Sequence, residues 1–339
     1  MSDNPIIAID AMGGDYGPSE TVRGAVLAAR AGGVSILLVG DESEVQRALE
    51  TEHPESLPIK VIPSEGVVIE GEHPARALRS KPNSSIAVTV GLVKQGMANG
   101  FISMGSTGAS MAASVFLLGK FPGLERPTLG GPFNGLAPQT TIIDIGANVD
   151  CKPVQLLNFG ALGASFQRSY MGFNNPRVGL LSVGSEEGKG NKLVQEAFEL
   201  FKSSGLNFVG NVEGNEVFTD KADVIVCDGF VGNVLLKYTE GMAEAAARYL
   251  AKVLGVDSPA VKAISGLALA EEHGAAPLFG VNGLALAGHG RAKGEGIAAS
   301  VLLAKHAFEV NLVGHMREDL AAAQERAGVS LNDAGEVQA

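Results

Sequence analysis

Short apolar runs alternate with longer helical patterns along the chain. Apolar runs typical of β-strands lie at residues 6–9, 36–39, 59–62, 101–103, 141–145, 178–183, 208–209 and 224–227. Helical patterns lie at residues 20–31, 84–97, 107–118, 153–170, 191–203, 232–254 and from 297 to about 323. This alternation predicts an α/β fold with a mostly parallel sheet and helices on both faces. Strands that are apolar almost throughout suit a sheet buried on both sides.

The pattern predicts a single α/β/α domain over residues 1–325 and a flexible C-terminal tail at 326–339. A helical protrusion is predicted at about residues 240–275. Its first helix places Leu235, Tyr238, Met242, Ala246, Tyr249 and Val253 on one face. Ser258 and Pro259 then mark the cap and first position of a second helix. Packing in the core or in a dimer is the leading interpretation of this apolar face, and contact with a membrane is the second.

Five of the predicted strands end in glycine-rich polar loops that lead into helices. The loops are DAMGGD at 10–15, SMGSTGAS at 103–110, DIGANVD at 144–150, SVGSEEGKGN at 182–191 and CDGFVGN at 227–233. Ligands of parallel α/β sheets bind outside the carboxyl ends of the strands, where backbone N–H groups and helix N-termini favour anions. The five loops together therefore predict one cleft for a phosphate-type ligand. The alternative for each single loop is a tight turn that needs glycine only for its backbone.

Two common phosphate motifs are absent from these loops. A Walker motif ending at Gly188-Lys189 would need glycine at Val183 and Ser or Thr at Gly190. The dinucleotide fingerprint does not follow the first strand, because Gly13-Gly14 has the wrong spacing. The sequence therefore argues against a P-loop NTPase and an ordinary dinucleotide-binding dehydrogenase.

Composition narrows the class of protein further. Glycine supplies 45 of 339 residues, about 13 per cent against a typical ~7 per cent. The formal net charge of −11 argues against non-specific binding to nucleic acid. Two cysteines give no disulfide framework, and we expect a cytoplasmic protein with no signal peptide. No run reaches the ~18 apolar residues of a membrane span.

The motifs resemble those of the bacterial phosphate acyltransferase family (PlsX). The resemblance rests on DAMGGDYGP at 10–18, RSKPNSS at 79–85, STGAS at 106–110, RPTLG at 126–130, DIGANVDCKP at 144–153, PRVGLLSVGSEEGKGN at 176–191, NFVGNVEG at 207–214 and CDGFVGNVLLK at 227–237. It implies a three-layer, doubly wound fold similar to phosphotransacetylase and the isocitrate dehydrogenase group. It also implies the conversion of acyl-[acyl carrier protein] and inorganic phosphate to acyl phosphate and free carrier protein, early in phospholipid biosynthesis.

The resemblance implies partners as well. These are acyl carrier protein, inorganic phosphate, a second copy in a homodimer, peripheral membrane contact and a downstream glycerol-3-phosphate acyltransferase. No cofactor is implied. Two alternatives remain open: a phosphotransacetylase-like transfer between coenzyme A and phosphate, and a non-catalytic scaffold for membrane lipid synthesis.

Lys189 and Asn233 are the predicted catalytic residues. Phosphate is already a nucleophile and a thiolate leaves readily, so the protein needs to position the reactants and stabilise the oxyanion. Lys189 lies in a glycine loop, and the family places a catalytic lysine there; the alternative is a solvated lysine paired with Glu186 or Glu187. Asn233 can donate amide N–H groups to an oxygen, and its alternative is a helix cap. Neither cysteine has a histidine nearby in sequence, and no G-x-S-x-G elbow occurs.

The predicted phosphate- or substrate-binding residues come from the glycine loops. They are Asp10, Gly13, Gly14, Ser106, Thr107, Gly108, Asn148, Gly188 and Gly190. The carboxylates of Asp10, Asp15, Asp144 and Asp228 are of the type that binds Mg²⁺. Asp at a strand end more often holds a turn, so we predict no required metal and assign Asp10 and Asp15 mainly to the first loop. His289 is expected to be structural.

A basic cluster is predicted to dock the carrier protein, which the resemblance implies to be acidic, or its phosphopantetheine phosphate. It consists of Arg76, Arg79 and Lys81. The alternative is the ordinary preference for cations near a helix C-terminus.

Overall fold

The computed structural model describes residues 4–54, 56–133, 137–268 and 274–329. The chain divides into two compact units. The first unit comprises residues 1–120 and 271–313, and the second comprises residues 121–270 and 314–339. The single domain predicted for residues 1–325 stays a prediction, and residues 330–339 of the predicted tail lie outside the described residues.

Strands and helices alternate through most of the chain. The strands are β1 (Ile6–Asp10), β2 (Ser35–Gly40), β3 (Ile59–Pro63), β4 (Gly100–Ser103), β5 (Thr128–Phe133), β6 (Ala137–Ile143), β7 (Arg177–Ser182), β8 (Asn207–Glu213), β9 (Val224–Val226), β10 (Ala275–Phe279) and β11 (Leu284–Gly288). The helices are α1 (Ser19–Ala31), α2 (Glu42–Thr51), α3 (Pro74–Ser80), α4 (Ser85–Lys94), α5 (Thr107–Ala113), α6 (Pro153–Ser169), α7 (Lys192–Ser203), α8 (Gly229–Leu254), α9 (Pro259–Ala268), α10 (Gly294–Glu309) and α11 (Leu312–Arg326).

The sheet of the first unit has the order β3-β2-β1-β4-β11-β10. Its strands are parallel except for β10, which runs antiparallel to β11. In β1, the side chains from Ile7 to Ile9 are fully buried, as expected for a strand covered on both faces. Helices α1 and α10 pack closely, because a Cβ atom at Gly24 would lie only 2.5 Å from Ile297. This arrangement brings the carboxyl ends of β1 and β4 to the same edge.

The sheet of the second unit has the order β5-β6-β9-β7-β8. Strands β5 and β6 are antiparallel, and the other neighbours are parallel. Helix α6 is buried along most of its length and approaches the sheet closely. A Cβ atom at Gly163 would lie 2.6 Å from Val224 of β9, and one at Gly160 would lie 2.4 Å from Phe201 of the neighbouring helix α7. The carboxyl ends of β6, β7 and β9 carry the loops at 144–150, 182–191 and 227–229.

The predicted mostly parallel α/β architecture is confirmed, and each predicted strand is present. Sequence patterns missed β5, β10 and β11, and they missed α2 and α3. The predicted helix at 107–118 is α-helical only to Ala113 and continues as a π-helix over Ser114–Leu118. The helical pattern from 297 to about 323 is wrong as one helix, since the chain breaks at Asn311, which has φ of +49°. No proline occurs between residues 297 and 323, and the nearest glycine, Gly314, lies within α11 rather than at the break.

Helices α8 and α9 form the predicted helical pair. Helix α8 begins at Gly229, three residues earlier than predicted, and α9 begins at Pro259 as predicted. On α8, the side chains of Tyr238, Met242, Tyr249 and Val253 are more than half exposed. Residues 269–273 of the predicted protrusion lie outside the described residues.

Candidate active site

Loops that follow β1, β4 and β11 line a pocket of about 500 Å³ in the first unit. Five predicted binding residues lie in its wall: Asp10, Gly13, Gly14, Ser106 and Thr107. Gly108, the next residue, is exposed in the first turn of α5. An apolar side of the pocket is formed by residues 67–69, and ionisable groups come from Asp15, Glu70, His289 and Arg291. The predicted grouping of the first and second glycine loops is therefore present within this unit.

Asp10 forms the buried floor of this pocket. The Ser103 hydroxyl donates to Asp10 Oδ2 over 2.8 Å, and the Gly105 N–H donates to Ser103 Oγ over 3.1 Å. Burial raises the pKa of Asp10, although hydrogen bonds from Ser85 and Ser103 and from the backbone of Met12 and Gly13 act in the opposite direction. Asp10 thus joins the loops after β1 and β4.

Gly13 and Gly14 allow the loop after β1 to pass close to its neighbours. A Cβ atom at Gly13 would lie 2.7 Å from the Gly105 nitrogen and 2.9 Å from Asp10 Oδ2. Gly14 has φ of +93°, which disfavours side chains. The next residue, Asp15, donates its N–H to the Gly290 carbonyl over 2.7 Å. The two glycines therefore let three loops meet at the pocket.

In the second unit, Asp144 holds the loop at 144–148. Its Oδ1 accepts hydrogen bonds from the N–H groups of Gly146 and Ala147 at 3.0 and 2.7 Å. Its Oδ2 accepts from Asn148 Nδ2 at 2.7 Å. Burial raises the pKa of Asp144, while these hydrogen bonds lower it. The carboxyl group is therefore engaged in shaping the loop.

Asn148 is buried and takes part in the same network. Its Nδ2 also donates to the Pro127 carbonyl over 2.9 Å, so both amide hydrogens are engaged. The side chain therefore has no free donor for phosphate in this conformation. Its remaining acceptor, Oδ1, is buried and has no hydrogen-bond partner among the described residues.

Helix α8 starts against this loop. Asp228 caps the helix by accepting from the Val231 N–H at 2.9 Å, so the alternative that Asn233 is the cap is wrong. Asn233 lies one turn further on, is exposed, and faces Gly146, where a Cβ atom would lie 3.4 Å from Asn233 Oδ1. The structure therefore brings Asn233 beside the loop that contains Asn148.

Lys189 lies on the loop between β7 and α7, with Gly188 and Gly190 on either side. Its side chain is exposed and makes no ion pair among the described residues. The predicted alternative partner Glu187 instead binds Lys202, with 2.8 Å between Oε1 and Nζ. A Cβ atom at Gly184 would lie 2.9 Å from Lys189 Cγ, so the lysine stem packs against this glycine. The ammonium group is left available for an anionic ligand.

The two cysteines lack the features of a nucleophile. The Cys151 thiol donates to the Asn148 carbonyl over 3.3 Å. Burial raises the pKa of Cys151 to about 12, and the negative charges of Asp144 and Asp228 add to the rise. Cys227 is fully buried and its pKa is also raised by burial. Both thiols are therefore protonated at neutral pH.

Replacing Cys151 with alanine is expected to leave kcat within about threefold of the wild-type value, because a thiol with pKa about 12 is thiolate in only ~0.01 per cent of molecules at pH 8. Initial rates of the acyl transfer that the motif resemblance implies measure this directly. A loss of a hundredfold or more in a variant that still folds would show that the thiol takes part in the chemistry.

The predicted basic cluster lies on and after α3. Arg76 and Arg79 are exposed and make no ion pair among the described residues. Lys81 is half-buried, and its Nζ contacts both carboxylate oxygens of Glu72 at 2.8–2.9 Å and the Val67 carbonyl at 2.9 Å. Lys81 therefore anchors the segment that forms the apolar side of the pocket, which leaves the two arginines as the free cations.

Arg291 is a pocket residue that sequence reasoning missed. It is exposed at the pocket and makes no ion pair among the described residues. Two contacts hold its loop. The Gly290 carbonyl accepts the hydrogen bond from the Asp15 N–H, and Lys293 Nζ lies 3.2 Å from the centre of the Tyr16 ring. In the sequence, the glycines on either side of His289 are the local feature that could have indicated this loop.

Within the described residues, no group of three or more His, Cys, Asp or Glu side chains is arranged to hold a metal ion. Asp10 and Asp15 belong to the pocket of the first unit. Asp144 and Asp228 belong to the loops of the second unit.

A family model described as fatty acid synthesis protein matches residues 6–314. The chain belongs to this family. A phosphate acyltransferase from Nitratidesulfovibrio vulgaris strain DP4 is 43% identical over 313 residues, which cover 89% of this chain and 91% of the relative. A phosphate acyltransferase from Pelotomaculum thermopropionicum is 42% identical over 324 residues, which cover 93% and 94%. The family is that of the phosphate acyltransferases, as the motifs predicted, and the protein is an acyltransferase enzyme.

Solved structures confirm the fold. A phosphotransacetylase from Streptococcus pyogenes superposes with a TM-score of 0.62 at 17% identity, covering 91% of this chain and 95% of that one. The EutD phosphotransacetylase from Staphylococcus aureus gives a TM-score of 0.56 at 16% identity, covering 91% and 94%. The predicted similarity to phosphotransacetylase folds is confirmed.

Among the described residues, no single helix has the length and apolar character needed to cross a membrane. The pair α10 and α11, which is bent at its junction, meets the criteria of length and composition when taken together.

Proposed function

We propose that this acyltransferase converts acyl-[acyl carrier protein] and inorganic phosphate to acyl phosphate and free carrier protein, in phospholipid biosynthesis. The observation that carries the proposal is the unpaired ammonium group of Lys189 on a glycine-rich loop. The printed names of the relatives support phosphate as one substrate. The carrier-linked acyl substrate is implied by the resemblance of the motifs to the family.

In the proposed reaction, a phosphate oxygen attacks the thioester carbonyl carbon directly. A C–O bond forms, the C–S bond breaks, and the carrier thiolate leaves and takes up a proton. Lys189 offsets the negative charge of phosphate and of the developing oxyanion, and Asn233 donates an amide N–H to an oxygen. Burial raises the pKa of both thiols, which argues against either cysteine as the nucleophile. Phosphate is itself a nucleophile, so direct transfer needs no covalent intermediate on the protein.

The reaction is tested by supplying phosphate with either palmitoyl-carrier protein or acetyl-coenzyme A and trapping acyl phosphate with hydroxylamine. We expect hydroxamate from the carrier-linked substrate and little from acetyl-coenzyme A. The reverse preference would favour a phosphotransacetylase-like activity. No hydroxamate from either substrate would contradict the proposed reaction.

Charge reversal at Arg79 is expected to raise KM for the carrier-linked substrate about five- to tenfold at low salt, with little change in kcat. The proposed carrier is acidic, and surface charges mainly change the rate at which two proteins associate. The measurement is initial rate against carrier concentration. Arg47→Glu on α2 is a matched control, because it makes the same charge change at another exposed arginine. An unchanged KM for Arg79→Glu at low salt would show that the carrier does not dock on α3.

We further propose a cytoplasmic homodimer that contacts the membrane peripherally and passes its product to a glycerol-3-phosphate acyltransferase. The exposed apolar side chains of α8 support an interaction surface there. Vesicle flotation of a Tyr249→Asp variant tests whether this face contacts the membrane. Sedimentation of the same variant tests whether the face forms the dimer. A variant unchanged in both would argue against the proposal.

A further inference from the structure

The loop that carries Lys189 is glycine-rich but well anchored. It connects β7 to α7 and contains Gly184, Gly188 and Gly190, each of which would make a free loop flexible. A lysine on a flexible loop loses conformational entropy when it binds a ligand. The hydrogen bonds of this loop show what keeps it in one conformation.

Two side-chain amides donate hydrogen bonds to four backbone carbonyls of the loop, those of residues 186, 188, 189 and 190. Gln195 Nε2, from α7, donates to the carbonyls of Gly188 and Gly190 at 2.9 and 3.0 Å. Asn211 Nδ2, from β8, donates to the carbonyls of Glu186 and Lys189 at 2.9 and 3.4 Å. Each amide uses both of its hydrogens on the loop, which fixes the orientation of the amide.

The remaining contacts of the loop involve its backbone and Glu187, and they leave the ammonium group of Lys189 without a partner among the described residues. The Lys189 N–H donates to the Glu186 carbonyl over 3.0 Å, and Glu187 is held by Lys202. The lysine stem packs against Gly184. The backbone of Lys189 is thus fixed on both sides, whereas its ammonium group makes no ion pair among the described residues.

We propose that Gln195 and Asn211 are positioning residues that act through Lys189: they hold the loop at 184–191 in the conformation that presents the ammonium group to substrate. The catalytic part of this inference rests on the proposed function of Lys189. The restraint of the loop by these two amides does not depend on that proposed function, and it can be measured without any substrate.

Gln195 is the better residue to change, since it is exposed on α7 whereas Asn211 is buried in β8. Gln195→Met keeps the length of the side chain and suits a helix but removes both donors. Gln195→Glu keeps the shape and directs carboxylate oxygens at the two carbonyls. Glu196→Met is the matched control, because it places the same residue at the adjacent exposed position and removes only the ion pair with Lys192.

Two measurements test the inference. Deuterium uptake by the 184–191 segment should be about tenfold faster in Gln195→Met than in wild type, as expected for the loss of two neutral hydrogen bonds. Uptake in β7 and in the rest of α7 should not change. The kcat of Gln195→Met should fall about tenfold with KM values within about twofold, and Gln195→Glu should lose more.

A double-mutant comparison separates positioning from a general structural effect. In a Lys189→Ala background, Gln195→Met should cause no further loss of kcat, because it acts through the missing lysine. Unchanged deuterium uptake, or a full tenfold further loss in that background, would overturn the inference. If Lys189→Ala retained wild-type kcat, the catalytic role of the lysine would be wrong, and the uptake result alone would decide whether these amides hold the loop.

Discussion

Replacing Lys189 with alanine is expected to lower kcat for acyl phosphate formation by about 10²–10³-fold, the range typical for removal of a group that stabilises an oxyanion. The side chain is exposed and unpaired among the described residues, so its loss should not change the free energy of unfolding by more than about 0.5 kcal/mol. Initial rates with saturating phosphate and acyl-carrier, together with thermal unfolding, measure both effects.

Lys192→Ala provides the matched control for this prediction. Lys192 is an exposed lysine three residues away, and it faces Glu196 with 3.6 Å between Nζ and Oε1. Its removal should leave kcat within about twofold, because Lys192 lies on α7 beside Glu196 and outside the glycine-rich loop. The loss of a surface ion pair should also change the stability little. Lys189→Arg should recover only part of the activity, since a planar guanidinium replaces a compact ammonium group. Equal losses from Lys189→Ala and Lys192→Ala would show that only the general positive charge of this surface matters.

Replacing Gly232 with alanine is expected to destabilise the protein by about 3 kcal/mol or more, which is the upper part of the range for overpacking a buried site. A Cβ atom there would lie 1.8 Å from the Asp144 carbonyl oxygen and 3.0 Å from Cys227 Sγ. The carbonyl belongs to the backbone of the loop at 144–148, so relief of the collision must displace either that loop or the start of α8. Urea unfolding measures the change, and reduced catalysis is expected in any folded fraction.

Gly241→Ala on the same helix is the control. Gly241 is exposed, and a Cβ atom there would meet no other atom within 4 Å. Alanine should therefore stabilise the protein by ~0.5–1 kcal/mol through helix propensity alone. Similar stabilities for Gly232→Ala and Gly241→Ala would mean that α8 does not start against Asp144 as described.

The sequence predicted the strands and helices whose signals lie within a few neighbouring residues. Strands such as β1 and β7 are apolar runs that end in Asp, Ser or Gly, and those signals lie within a few residues. Strands β10 and β11 were missed because AAPLF and LALAG contain small residues that fit helices and strands alike. The break between α10 and α11 depends on one asparagine at positive φ, a conformation that the surrounding structure selects.

The sequence indicated several residues that line the pocket, such as Asp10 and Ser106, but it did not indicate which hydrogen-bonding groups of the predicted residues are already engaged within the chain. Asn148 and Lys81 have the right chemistry for phosphate or carrier, yet both are engaged with groups elsewhere in the chain. The bond between Asp10 and Ser103 joins residues 93 positions apart, a separation at which no local pattern is informative. Arg291 was missed for the same reason, because only the fold brings it to the pocket after β1.

Direct attack of phosphate on the thioester is tested most directly by mixing the protein with acyl-carrier in the absence of phosphate. We predict no release of free carrier thiol and no change in the intact mass of the protein. Adding phosphate should then release thiol and acyl phosphate in equal amounts. Release of one equivalent of thiol per protein chain before phosphate is added, with a matching gain of one acyl group in mass, would contradict the account.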